Sequence, residues 1–134
     1  MIVVADTNII VRIFAKVDNP QQTEAAINLI RNATRLIVPT VVLCELVWVL
    51  RAEKSAREIA DDIRILMQLQ NIVVADDEVL AGLRMLDDGG DFSDGVIQYT
   101  GDKLAGRHAS TFASFDRGAV RRLAACGIAT MIPQ

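Results

Sequence analysis

One histidine and two cysteines are all the imidazole and thiol metal ligands this 134-residue chain possesses. Cys44 and Cys126 sit in apolar contexts, without CxxC spacing or a nearby histidine. That excludes a zinc cluster and a disulfide framework, and the two thiols read as buried residues of a protein from a reducing cytoplasm. His108 lies in a Gly106-Arg107-His108 loop and reads as a surface side chain. Aromatic residues are 4% of the chain, so the core has to be aliphatic. Trp48 and Tyr99 read as packing against core or partner rather than stacking on bases. Basic residues do not outnumber acids: the net charge is −3 and the pI about 5.1. This argues against a nucleic-acid partner held by bulk charge, although not against one held through bound cations. No apolar run reaches the roughly 20 residues of a membrane span. The longest, Leu36 to Leu50, is broken by Pro39 and Glu45. The start, Met1 to Asp6, has no basic segment and reads as a strand rather than a signal peptide. Repeats, linkers and low-complexity segments are lacking.

What is present is a 51% hydrophobic, 23% charged chain, the composition of a packed globule. Its length fits one domain, residues 1–134, able to bury roughly two-thirds of its unfolded surface. Short apolar segments alternate with helical ones. Strands are predicted at Ile2–Ala5 (fully buried), Leu36–Val38, Ile72–Ala75, Thr111–Phe115 and Ile128–Ile132. Helices are predicted at Ile9–Ala15, Pro20–Asn32, Thr40 to about Ala52, Ser55–Gln70, Asp76 or Asp77 to Leu86, Phe92–Leu104 and Gly118–Ala125. Ser55 and Glu58 have capping-box spacing, Thr40 reads as an N-cap, and Gly127 as a C′ residue. Such alternation predicts an α/β fold, a parallel sheet between helix layers.

The chemistry is in the acids. Asp6 and Asp116 each follow an apolar strand, at the sheet edge where α/β proteins bind ligands. Either also serves as an N-cap for the next helix. Glu45 is the only charge between Arg35 and Arg51, in a helix with the composition of a core, so it reads as a buried carboxylate in need of a cation. Asp94 lies one turn inside a helix beside Val96 and Ile97, which look buried. Asp91, three residues earlier on the same face, is either that helix's N-cap or a further ligand. Asp6, Glu45, Asp94 and Asp116 cannot all be ionised at close range without compensation. Oxygen ligands alone select Mg²⁺ or Mn²⁺, and such a site suits phosphodiester hydrolysis. Asn8, Ser114 and Thr111 are short polar groups near that edge, able to orient water or phosphate. Arg117, Arg121 and Arg122 read either as a solvated helix face or as phosphate contacts.

Four segments together, Val4-Ala5-Asp6-Thr7-Asn8, Val41-Val42-Leu43-Cys44-Glu45-Leu46, Asp91-Phe92-Ser93-Asp94 and Ser114-Phe115-Asp116-Arg117, resemble the PIN-domain ribonucleases, in particular the VapC toxins of bacterial toxin–antitoxin pairs. The resemblance implies a three-layer α/β/α fold with a small parallel sheet flanked by helices. It implies a Mg²⁺- or Mn²⁺-dependent endoribonuclease, homodimerisation, and inhibition by a VapB-like antitoxin. The family's acids fall on Asp6, Glu45, Asp94 and Asp116, with Asp91 as an accessory acid. Thr7 or Asn8 falls on the polar position after the first acid, and Ser114 on a position where Thr is common. Gly95 and Gly101 stand where Ala is usual, which predicts a weakened Asp94 helix. Two other classes compete: a receiver-like phosphoacceptor domain, which would want paired acids at the first strand end and a late lysine, and a non-catalytic binding module of the same fold.

Overall fold

Among the described residues, 1–16 and 18–134 of a computed structural model, every strand pairing is parallel and no strand exceeds three residues. Parallel neighbours need a crossover, and helices supply each one. The α/β class and the small parallel sheet are as the sequence predicts.

The described residues cluster into two compact units, Met1–Asp76 and Asp77–Gln134. In the first, the chain runs β1 (Ile2–Val4), α1 (Thr7–Phe14), α2 (Pro20–Asn32), β2 (Arg35–Ile37), α3 (Thr40–Leu50), α4 (Ala56–Gln68) and β3 (Ile72–Val73). The sheet order is β1-β2-β3, with Val3 opposite Leu36 and Leu36 opposite Ile72. That row points to the core, where Leu36 is fully buried. The alternate row does not. Ile2 and Val4 are exposed, so β1 is buried on one face only, contrary to the expectation of a fully buried strand.

Local signals set the helix boundaries. Asn19 caps α2 through the Gln22 amide, and Pro20 takes the first helical position read for it from the sequence. The Ser55–Glu58 capping box closes in both directions. Its hydrogen bonds from Ser55, backbone first and then hydroxyl, hold the Glu58 carboxyl below its ordinary range. Thr40 is not a cap: α3 starts at Thr40 itself, behind Pro39, with no side-chain cap bond.

α3 corrects the largest expectation. Val42, Leu43, Leu46, Val47 and Leu50 are buried, while Val41, Glu45, Trp48 and Val49 form the opposite, exposed face. Glu45 is therefore an exposed acid beside apolar neighbours, not a buried one. A helix apolar all round reads as buried all round, yet here only one side meets the core. Trp48 is 71% exposed, and the Arg51 guanidinium sits 5.5 Å from its ring centroid. Cys126 is exposed and Cys44 half-buried, so neither thiol is the buried residue expected.

The second unit runs α5 (Asp76–Asp87, starting at the boundary), α6 (Phe92–Ala105), β4 (Phe112–Ala113), α7 (Arg117–Ala125) and β5 (Thr130–Met131), with β4 parallel to β5. Gly127 takes φ +82° just past α7, the left-handed C′ position predicted for it. α5 and α6 cross closely. A Cβ on Gly95 would lie 2.3 Å from the Ala81 carbonyl oxygen, and one on Gly82 would lie 2.5 Å from the Phe92 ring. Phe92, Gly95 and Val96 are buried there, Val96 as expected, whereas Ile97, also expected to be buried, is 56% exposed.

Candidate active site

The sequence-predicted acids fall into two groups, one in each unit. In the first unit, β1 ends just before Asp6, which caps α1: its Oδ1 accepts the Thr7 amide at 2.7 Å. Capping uses one oxygen of the carboxylate, and a carboxylate has about four lone-pair sites, so the cap role and a ligand role are compatible. Thr7 then reaches across to α3, where its hydroxyl donates to Glu45 Oε2 at 2.6 Å. One residue thus ties both acids. Asp6, Thr7, Asn8, Val11, Arg12, Glu45 and Val49 line a common pocket of about 390 Å³. The Thr7–Glu45 bond spans 38 residues, and nothing in local spacing announces it.

In the second unit, Asp91 caps α6, accepting the Ser93 amide at 3.3 Å. Asp94 follows in the first turn. Asp116, after β4, caps α7 through the Ala119 amide at 3.1 Å, and the Ser114 hydroxyl accepts the Asp116 amide at 3.0 Å. The Asp94 carboxyl titrates above its ordinary range. Partial burial is the first cause, the charges of Asp91 and Asp116 follow, and the Arg122 guanidinium opposes them. Asp94 sits in the first turn of α6, where the helix dipole favours an anion, but burial and like charge outweigh it. Arg117 is exposed at the start of α7, and Arg122 is half-buried. His108 is exposed.

A raised carboxyl pKa favours the folded state while the acid is protonated. That advantage is present below the unfolded-state pKa and lost as pH rises through the raised folded value. Asp94→Asn is therefore expected to stabilise the metal-free protein at neutral pH, by less than about 1 kcal/mol because the group is only part-buried. The gain should shrink as pH falls through the Asp94 pKa. Thermal melts of both proteins between pH 4 and pH 8 check this.

These residues fit a hard divalent cation. The donors in each group are oxygen only, carboxylates with a hydroxyl, and like charge around Asp94 is what a cation would relieve. Among the described residues no three acid, thiol or imidazole groups come together as a ready-made ligand set. Mg²⁺ needs no such set, since it takes one or two carboxylates and keeps several waters.

The PIN domain family model matches residues 3–124. The chain belongs to the PIN domain family, whose members are generally nucleases and usually use divalent metals. No curated protein matches the chain. No solved structure matches it either. No helix among the described residues is long and apolar enough to cross a membrane.

Proposed function

We propose that this chain is a Mg²⁺- or Mn²⁺-dependent endoribonuclease acting as the toxin of a type II toxin–antitoxin pair, working in the cytoplasm as one domain over residues 1–134. The observation that carries the reading is the placement of Asp6 and Asp116 within three residues of the C-terminal ends of β1 and β4. Each is joined by a further acid, Glu45 through Thr7 and Asp94 through shared charge.

In this reading Asp6 and Glu45 of the first unit and Asp94 and Asp116 of the second are the metal-holding carboxylates, with Asp91 as an accessory acid. The cation, when bound, offsets phosphate charge and lowers the pKa of a bound water. The side chains do the rest. Thr7 fixes the Glu45 rotamer before substrate arrives. The Ser114 hydroxyl, bound to the Asp116 amide, stiffens the turn that presents Asp116. Asn8 lines the same pocket as Asp6 and Glu45, positioned to orient water or a phosphate oxygen, and Arg117 lies close enough in sequence to Asp116 to meet the RNA backbone.

The partners of this reading are RNA, a second copy of the chain and a VapB-like antitoxin. Support for protein partners comes from the outer face of α3, where Val41, Trp48 and Val49 are exposed. Monomeric soluble proteins seldom expose so many large apolar groups together.

Incubation of the purified chain with total RNA, followed by cleavage-site mapping, tests the activity. Cleavage is expected with Mn²⁺ or Mg²⁺, to vanish in excess EDTA, and to return on adding back Mn²⁺. Undiminished cleavage in EDTA would sink the metal-dependent reading.

A further inference from the structure

Of the three arginines after Asp116, one is set apart by packing. Arg117 and Arg121 are exposed, whereas Arg122 is half-buried. Arg122 lies four residues after Gly118 on α7, so both share a face, and helical side chains lean back toward the N-terminus. Its side chain accordingly runs toward the start of α7, where Asp116 sits. Two glycines leave room for it. A Cβ on Gly90 would lie 3.0 Å from Arg122 Cδ, as well as 2.6 Å from Met85 Sδ. A Cβ on Gly118 would lie 3.0 Å from Arg122 Nη1 and 3.3 Å from Asp116 Oδ1. The guanidinium and the Asp116 carboxylate therefore flank the same bare backbone position. Its charge also reaches Asp94, where it favours the ionised carboxyl.

An acid group that gathers cations repels a phosphodiester. A planar guanidinium with five N–H donors matches phosphate bidentately. Arg122 makes no ion pair within 4.0 Å with either acid among the described residues, so its donor fork is not consumed by them. We propose that Arg122, carried past Gly90 and Gly118 to the Asp94–Asp116 group, is the residue that binds a backbone phosphate of the RNA. The inference rests on the nuclease reading above and adds to it a substrate contact that the four acids cannot supply.

This role has a signature of opposite signs. Arg122 weakens divalent binding by like-charge repulsion and strengthens RNA binding. Removing a merely structural arginine would weaken both. In Arg122→Met, Mn²⁺ affinity by calorimetry is expected to rise about three- to tenfold. RNA binding is measured by anisotropy with a short single-stranded RNA in an Asp6→Asn background, which excludes turnover. There Arg122→Met is expected to weaken affinity about tenfold. It should also reduce the slope of log affinity against log salt by about 0.7, the value of one single-strand phosphate contact. Arg122→Lys keeps the charge, so it should leave Mn²⁺ affinity and the salt slope unchanged while losing part of the RNA affinity. Gly118→Ala favours the helix and displaces the guanidinium without removing it. It should show the same two shifts in smaller measure, and it carries the test if Arg122→Met does not fold. Unchanged or weaker Mn²⁺ binding, or an unchanged salt slope, overturns the proposal. If the wild-type chain cleaves no RNA but both shifts appear, the ribonuclease reading fails and Arg122 stands as a phosphate contact.

Discussion

Asp6→Asn is expected to lower RNA cleavage by about a thousandfold while leaving the fold intact. The magnitude follows from the role. A carboxylate that holds a divalent cation commands several kcal/mol of transition-state charge stabilisation, and each 1.36 kcal/mol is tenfold in rate. Retention of the fold follows from the cap. Asp6 Oδ1 accepts the Thr7 amide, and the asparagine carbonyl oxygen can accept that same bond, because Asn and Asp are equally good N-caps. Asp6→Ala would confuse the two effects, since losing the cap costs about 0.5–2 kcal/mol. Turnover at saturating RNA and Mn²⁺, with a thermal melt alongside, gives the answer. A folded Asp6→Asn protein that cleaves at the wild-type rate would remove Asp6 from the site.

The second large effect is on stability. Gly95→Ala is expected to destabilise the protein by about 1–3 kcal/mol, and Gly101→Ala to stabilise it by up to about 1 kcal/mol. Both glycines lie inside α6, and in both cases alanine is the better helix former. Space separates them. At Gly95 the new Cβ would meet the Ala81 carbonyl oxygen and carbon at 2.3 and 2.9 Å, while at Gly101 nothing lies within 4 Å. The clash at Gly95 is with backbone, so no rotamer relieves it and α5 and α6 have to move apart. Overpacking therefore outweighs propensity at one site, and propensity acts alone at the other. Urea unfolding of both variants checks the opposed signs; a stabilised Gly95→Ala would disprove the close crossing.

That contrast marks what could be read in the sequence. Caps act over three or four residues, so Ser55 with Glu58, Asp91 and Gly127 were all legible, and α2 starts at Pro20, as read. Strand ends depend on partners far along the chain. The strand predicted over Thr111–Phe115 is only Phe112–Ala113, because pairing with β5 covers just two residues. Glu45 was picked out for the wrong reason: composition distinguished its helix as apolar but could not say which side met the core. Gly95 and Gly101 look alike in sequence, and the predicted weakening of α6 fits Gly101 only, since Gly95 is what permits the α5–α6 crossing. The Thr7–Glu45 bond and the path of Arg122 are tertiary. The one local hint was Gly118 placed four residues before Arg122 on the same helix face.

Trp48 gives the outer face of α3 an optical label. It is the chain's single tryptophan, largely in water and one turn from Glu45. Intrinsic emission excited at the indole band therefore arises from one place and begins at the long wavelengths of a solvated ring. A protein that covers Val41 and Val49 would shift that emission to the blue.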